Sequence, residues 1–165
     1  MGSEEHKLEA VAAKLGSSPA DLGMYDGRGL QSLHGKLVFP VQGKIIQHFG
    51  RQKHEEFSDF LFVKGLEVLA SVGGVVRSVA VGNVVFREEL PGFGKVVILD
   101  HGQRYYTLYG RLGAFGCQVG DQLELGGIVG ILGEPDSRGR NFYFELRFQG
   151  KAIDPLEFFT KPLPS

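Results

Sequence analysis

The sequence contains no tryptophan and only one cysteine, Cys117, among its 165 residues. One cysteine excludes an intramolecular disulfide and a Cys-rich zinc site, and a lone cysteine is most often a small buried apolar residue. No apolar run reaches the ~18 residues that a membrane-spanning helix needs. The net charge is −1 with both signs interspersed, which gives no electrostatic reason to expect nucleic acid or an anionic membrane as a partner.

Glycine is abundant, and valine and phenylalanine are frequent. The 25 glycines separate short runs rich in Val, Ile and Phe, and no helical periodicity occurs between Lys36 and Phe148. This pattern is typical of an all-β domain with tight turns. A chain of this length is long enough for one such domain with a full core and a short appendage.

The first 35 residues have a different character. Glu4 to Leu15 is rich in Ala, Leu, Glu and Lys and stops at Gly16, which predicts a short helix. Such a helix is marginal alone, so we expect the end of a coiled coil or a regulatory helix that docks on the domain. Gly23 to Gly35 is Gly-rich and aperiodic and is predicted to be a linker. The predicted organisation is therefore residues 1–35 as helix and linker, and residues 36–165 as the β domain.

Within the β domain, strands are predicted wherever apolar residues cluster between turn residues. A polar loop is expected at Gly50–Ser58, and a turn at Asp100–Gly102 in which His101 makes structural hydrogen bonds. The predicted strands are Leu37–Val41, Lys44–Phe49, Phe60–Val63, Leu66–Ala70, Gly74–Val81, Asn83–Phe86, Lys95–Leu99, Tyr105–Tyr109, Cys117–Leu123, Gly126–Gly133 and Arg140–Arg147.

The last of these strands has clear period-2 character. The apolar side chains of Phe142, Phe144 and Leu146 are expected to face the core. The polar side chains between them should point the other way, toward a wetter face or a groove. They are Asn141, Tyr143, Glu145 and Arg147.

Three segments lie where a metal-binding family carries its motifs: Val63-Lys64-Gly65-Leu66-Glu67, Tyr109-Gly110-Arg111-Leu112 and Asn141-Phe142-Tyr143. From about Lys36 to Phe159 the chain resembles the zinc endopeptidases of the lysostaphin/LytM type. That family has His-x-Gly-x-Asp, Tyr-x-His-Leu and His-x-His at these places. The resemblance therefore implies an all-β, β-sandwich-like LytM fold in which the ligand and catalytic positions hold other residues.

The replacements oppose zinc hydrolysis. A catalytic zinc needs about three protein ligands and an open position for water. Val63 cannot coordinate a metal, Arg111 brings a permanent positive charge, and Tyr143 is a poor ligand at its ordinary pKa. Only Glu67 keeps ligand chemistry. We therefore expect no metal, no cofactor and no enzymatic activity.

Further segments narrow the resemblance. They are Phe39-Pro40-Val41-x-Gly43-Lys44, Phe49-Gly50-Arg51-Gln52-Lys53-His54, Lys64-Gly65-Leu66-Glu67-Val68, Tyr143-Phe144-Glu145-Leu146-Arg147 and Asp154-Pro155-Leu156. Together they are similar to the degenerate LytM domain of EnvC-like murein hydrolase activators. That resemblance implies a periplasmic protein with a coiled coil before the domain. It also implies a role in cell division, in which the protein switches on an N-acetylmuramoyl-L-alanine amidase that cuts peptidoglycan.

If the metal is lost and the groove is kept, a partner segment can fill it. Arg111 and Tyr143 would then be binding anchors, since both residue types are enriched in hot spots, or they merely plug the old metal cavity. The residues expected to line this partner-binding groove are Val63, Glu67, Tyr109, Arg111, Asn141 and Tyr143.

Two other functions stay open. One is a module that binds peptidoglycan without cutting it. The other is a zinc endopeptidase with relocated ligands, drawn from the polar residues in or beside the predicted loop. Those residues are His48, His54, Glu55, Glu56 and Asp59. A lipoyl- or biotin-carrier domain is disfavoured, because no hairpin turn in the second half presents a lysine.

Overall fold

The computed structural model describes residues 7–11, 30–53, 60–161 and 163. Residues 7–11 are α-helical, and short 3₁₀ helices span Gln31–Leu33 and Pro155–Phe158. The strands are β1 (Gly43–Gln47), β2 (Gly50–Lys53), β3 (Phe60–Val63), β4 (Leu66–Ala70), β5 (Val75–Arg77), β6 (Gly82–Leu90), β7 (Gly94–Gly102), β8 (Tyr105–Phe115), β9 (Gln122–Leu123), β10 (Ile128–Leu132), β11 (Phe142–Phe148) and β12 (Lys151–Ile153).

Ten of these strands form one sheet with the order β1-β4-β11-β8-β7-β6-β9. Strand β10 pairs with both β8 and β5, β12 pairs with β11, and β2 and β3 form a separate two-stranded sheet. The central strand β11 lies between β4 and β8 and is antiparallel to both. This arrangement places three segments that are far apart in sequence side by side.

The main core lies on one face of the central strands. Leu66 and Val68 of β4 and Phe142 and Phe144 of β11 are buried in it together, as the alternation of apolar residues predicts. The ring of Tyr109 packs edge-on against Phe144 with ring centres 5.4 Å apart. Full burial of each such side chain contributes roughly 1.5–3 kcal/mol to the free energy of folding. This core therefore stabilises the sheet.

The opposite face of the same strands is also buried. Tyr143 packs there with Phe93, Leu108 and Ile98 in a second apolar cluster. The helical residues 7–11, which we call the docked helix, complete this cluster through the fully buried side chain of Leu8. The expectation that the polar face of β11 is wet is therefore wrong, because residues distant in sequence cover it.

The predicted all-β fold with a short N-terminal helix is confirmed, and some boundaries are corrected. Leu37–Val41 is not a strand: only Leu37 makes an isolated parallel bridge, to Phe159, and Pro40 has no N–H to extend a ladder. The first part of the predicted polar loop is strand β2, which pairs with β3. Residues 54–58 of that loop lie outside the described residues.

The predicted turn at Asp100–Gly102 is instead the end of β7. The chain reverses at Gln103 and Arg104, whose φ angles of 53° and 65° are those of a two-residue hairpin turn. His101 makes the structural hydrogen bonds expected of it. Its ring nitrogens lie 2.8 Å from the carbonyl oxygen of Val81 and 2.7 Å from the hydroxyl of Thr107.

The N-terminal region is described only in part. The helix predicted for Glu4 to Leu15 is present at residues 7–11, and its remaining residues lie outside the described ranges. The last part of the predicted linker packs on the domain, because Leu30 is fully buried in the main core. Tyr105 also donates a 2.7 Å hydrogen bond to the side chain of Gln31. The boundary between residues 35 and 36 stays a prediction.

Candidate functional site

The residues that replace the metal-binding motifs meet on the second face of the sheet. In the ladder between β11 and β4, Tyr143 lies opposite Glu67, and in the ladder between β11 and β8 it lies opposite Gly110. Arg111 follows Gly110 directly. The three motif segments therefore converge, as the resemblance predicts.

A β-bulge turns Arg111 toward Glu67. Val97 pairs with Tyr109 and Lys95 pairs with Leu112, so two residues of β8 lie opposite the single residue Val96. Arg111 has a φ of 60°, which is uncommon for a residue with a Cβ. The bulge breaks the alternation of side chains along β8. As a result Tyr109 and Arg111, two residues apart, lie on opposite faces of the sheet.

Arg111 and Glu67 form a bidentate ion pair. Nε and Nη2 of Arg111 donate to the two carboxylate oxygens of Glu67 at 2.8 Å each. The side chains are only 15% and 6% exposed. Burial by itself lowers the pKa of Arg111, but the hydrogen bonds and charge of Glu67 outweigh it and raise that pKa. The arginine is therefore permanently charged, and both carboxylate oxygens of Glu67 are occupied by its guanidinium.

A second arginine completes the environment of Glu67. Nη1 of Arg140 lies 3.3 Å from one oxygen of Glu67, while its Nε and Nη2 bind Asp136 at 3.0 and 2.8 Å. Burial raises the pKa of Asp136, but the hydrogen bonds from Arg140 and Arg138 prevail and lower it to about 2. Glu67 thus accepts from two guanidinium groups.

Arg111 also fixes the loop between β6 and β7. Its backbone N–H donates to the carbonyl of Phe93 at 2.7 Å, and Nη1 donates to the carbonyl of Gly92 at 2.9 Å. The backbones of Gly94 and Arg111 pass close together, since a Cβ on Gly94 would lie 3.3 Å from Cα of Arg111. Gly94 also has a left-handed φ of 70°. The Phe93 ring is thereby held over Tyr143, with ring centres 5.3 Å apart.

Tyr143 is bound within the protein rather than facing a groove. It is 4% exposed, and its hydroxyl donates to Glu145 at 2.5 Å. Its ring covers Gly65, where any Cβ would lie 2.8 Å from the phenol. Glu145 is completely buried, which raises its pKa, while its contacts with Arg147 and Tyr143 act in the opposite direction.

The same network anchors the docked helix. Nε of Arg147 donates to Glu145 at 2.7 Å. Its two terminal nitrogens donate to the two carboxylate oxygens of Glu9, at 3.1 and 2.7 Å. Lys64 donates to Glu9 at 2.7 Å. Burial raises the pKa of Glu9, but hydrogen bonds from Arg147 and Lys64 prevail and lower it to about 2. The helix is therefore held by charge as well as by Leu8.

Two further residues predicted to line the groove are also internal. Tyr109 is fully buried in the main core, and burial raises its pKa to about 12, so its assignment to the groove is corrected. Asn141 is 2% exposed. Its side chain bonds to the N–H and C=O of Ala70, both at 2.9 Å, and to the carbonyl of Gly133. It joins β11 to the end of β4.

Val63 lies at the end of β3 opposite Gly50 and is partly buried. The sequence does not single out as sites the network of Glu145, Arg147 and Glu9 or the contact of Arg140 with Glu67. The signal was available for Glu145 and Arg147, because two opposite charges two residues apart on one strand lie on the same face. The contribution of Glu9 carries no such local signal.

The residues present do not fit a catalytic metal. Both oxygens of Glu67 are held by guanidinium groups, Val63 has no donor atom, and the hydroxyl of Tyr143 is committed to Glu145. Among the described residues, no group of three or more His, Cys, Asp or Glu side chains could hold a metal ion. Of the alternative ligands, His54, Glu55, Glu56 and Asp59 lie outside the described residues, and His48 is exposed.

The fold and the altered motifs define a degenerate LytM domain. The sequence matches Peptidase family M23 over residues 61–155, and the chain belongs to this family. It is 34% identical to "Murein hydrolase activator EnvC" of Escherichia coli (strain K12), over 77% of this chain and 30% of that protein. It is 30% identical to "DD-carboxypeptidase/endopeptidase Mpg" of Neisseria meningitidis, over 79% of this chain and 31% of that protein.

Solved structures agree on the fold. The catalytic domain of lysostaphin from Staphylococcus simulans superposes with a TM-score of 0.59 at 20% identity, covering 70% of this chain and 91% of that chain. The chain spans about a third of the length of each of the two curated relatives described above. In the described part of the chain, no helix is long and apolar enough to cross a bilayer.

Proposed function

We propose that this domain is a non-catalytic activator that binds a periplasmic N-acetylmuramoyl-L-alanine amidase and promotes peptidoglycan cleavage in cell division. The observation that carries the proposal is the closed ion pair of Glu67 and Arg111, which stands where a peptidase of this family needs a ligand and a catalytic histidine. The name of the Escherichia coli relative supports activation of a murein hydrolase. The amidase and the periplasm come from the resemblance alone.

The geometry favours different roles for the two expected anchors. Tyr143 is covered by Phe93 and the docked helix, so it acts as a plug while that helix is in place. Arg111 is partly exposed and lies at the surface of the site, so it is the better anchor. The side chains of the second apolar cluster are buried with Leu8 in place, so a partner that reaches them has to displace part of their cover.

The test is amidase-dependent release of labelled fragments from purified sacculi. The domain alone should release nothing, the amidase alone little, and the two together at least tenfold more than the amidase. Arg111→Ala should reduce this stimulation, with its fold checked by circular dichroism. Lys151→Ala removes an exposed charge on β12 and serves as the matched control, because it should leave stimulation unchanged. Undiminished stimulation by a folded Arg111→Ala protein would refute the anchor role.

The same experiment separates the alternatives. Binding of the domain to sacculi without amidase, and no stimulation when the amidase is added, would indicate a peptidoglycan-binding module. Cleavage by the domain alone, with one zinc per chain, would indicate a peptidase such as the name of the Neisseria meningitidis relative describes. Either result would overturn the activator proposal.

A further inference from the structure

The guanidinium of Arg111 lies between two positions at which LytM-type peptidases carry zinc ligands. Two of its nitrogens bind both oxygens of Glu67 at 2.8 Å. Its central carbon also lies 5.8 Å from the ring centre of Tyr143. Glu67 and Tyr143 are direct partners across the β4–β11 ladder, so the cation lies beside the two strands that carry the altered ligand positions.

The electrostatics of this place require a cation. Glu67 is a buried carboxylate, and a buried carboxylate is costly unless a positive charge and hydrogen bonds compensate it. In a metal enzyme the ion supplies this charge. Here Arg111 supplies it with two parallel N–H···O bonds, the geometry in which guanidinium binds carboxylate most strongly.

The backbone conformation at Arg111 orients its guanidinium toward Glu67. Arg111 adopts a left-handed φ of 60° within a β-bulge. A strained conformation for a non-glycine residue persists where the surroundings over-determine it, and such positions cluster at functional sites. The bulge is what aims the side chain away from the main core and toward Glu67.

We propose that Arg111 is a built-in cation that takes over the structural role of the divalent metal. It neutralises Glu67 and, through its bonds to the carbonyls of Gly92 and Phe93, holds the loop over Tyr143. The surface that the activator function would use is then formed without any cofactor. This inference rests on the proposed function only for that last consequence, because the structural role of Arg111 stands independently.

Zinc binding by variants with restored ligands tests the inference. In the double variant Val63→His/Tyr143→His, Glu67 is kept and Arg111 still occupies the place of the ion, so zinc should bind weakly. Adding Arg111→Ala should empty that place and strengthen zinc binding by at least 100-fold, measured by competition with a chromogenic chelator. Equal zinc affinity with and without Arg111 would overturn the inference.

A second measurement covers the case in which replacing Tyr143 prevents folding. In the otherwise unchanged chain, Arg111→Gln keeps the size of the side chain but removes its charge. Amide hydrogen exchange at Phe93 and Arg111 should then accelerate at least tenfold. Arg140→Gln removes the other guanidinium near Glu67 and is the matched control, with little change expected at these amides.

Similar exchange in the two glutamine variants would also contradict the inference, because it would mean that Arg111 has no special role in holding the loop. Neither measurement involves an amidase. A failure here therefore leaves the activator proposal standing, and a failure of activation leaves the role of Arg111 standing.

Discussion

Replacing Tyr143 with Phe removes one hydroxyl from the buried polar network that contains Glu145 and Arg147. That hydroxyl donates to Glu145, which is completely buried and is otherwise bound by Arg147. A hydrogen bond to a charged group contributes about 1.5–3 kcal/mol to stability. For a chain of this size, a loss of that amount lowers the midpoint of thermal unfolding by about 3–12 °C.

The loss should depend on pH. Burial raises the pKa of Glu145 above its ordinary value of 4.5, while the Tyr143 hydroxyl acts to lower it. A carboxyl whose pKa is raised on folding costs stability as the pH rises through that value. Without the hydroxyl the pKa should rise further. The difference between variant and parent should therefore be full at a pH above both raised pKa values, should diminish as the pH falls through them, and should be small by pH 4.5, where the carboxyl is protonated in both folded proteins.

Thermal unfolding followed by circular dichroism, from pH 3.5 to 8, measures this difference. Tyr105→Phe is the matched control, because its hydroxyl donates to the neutral side chain of Gln31. Its cost should be about 0.5–1.5 kcal/mol and the same across this range. If both variants lose equal stability at every pH, the assignment of a charged Glu145 as acceptor is wrong.

Four further substitutions probe other contacts. Arg111→Ala should lower the free energy of unfolding in urea by about 3–5 kcal/mol, because it leaves the buried carboxylate of Glu67 without its main partner. Arg111→Gly should lower it by about 1 kcal/mol less, since glycine tolerates the left-handed φ. A glycine variant less stable than the alanine variant would contradict this reasoning. Glu9→Gln should release the docked helix from Arg147 and speed hydrogen exchange in residues 7–11. In the parent this contact should weaken as the pH falls from 4.5 toward the lowered pKa of about 2; exchange that is unchanged in both cases would refute the anchoring. Asn141→Ala should cost about 2–4 kcal/mol by leaving the backbone groups of Ala70 unpaired, and a cost below 1 kcal/mol would show that water replaces the amide.

Much of the fold follows from local pattern in the sequence. The alternation of Phe142, Phe144 and Leu146 predicts the strand and its core-facing side, and the structure confirms both. The strands Phe60–Val63 and Leu66–Ala70 were predicted with the bounds that the structure has. These segments succeed because a short run of apolar, β-branched or aromatic residues, alternating or continuous and bounded by turn residues, is a local signal that no distant contact has to supply.

The burial of the second face could not be predicted in this way. Whether Tyr143 and Glu145 meet water depends on Phe93 and on the docked helix, which lie far away in sequence. The sequence pattern also could not predict that the side chains of Tyr109 and Arg111 lie on opposite faces of the sheet. Two residues of the same parity are expected on one face, and only the bulge at Arg111 separates them.

We propose that this domain activates an amidase and cuts nothing itself. The most direct test measures the zinc content of the purified protein together with peptidoglycan cleavage, with and without an N-acetylmuramoyl-L-alanine amidase. We expect no stoichiometric zinc, no cleavage by the domain alone and stimulated cleavage in the mixture. One zinc per chain with cleavage by the domain alone would contradict it.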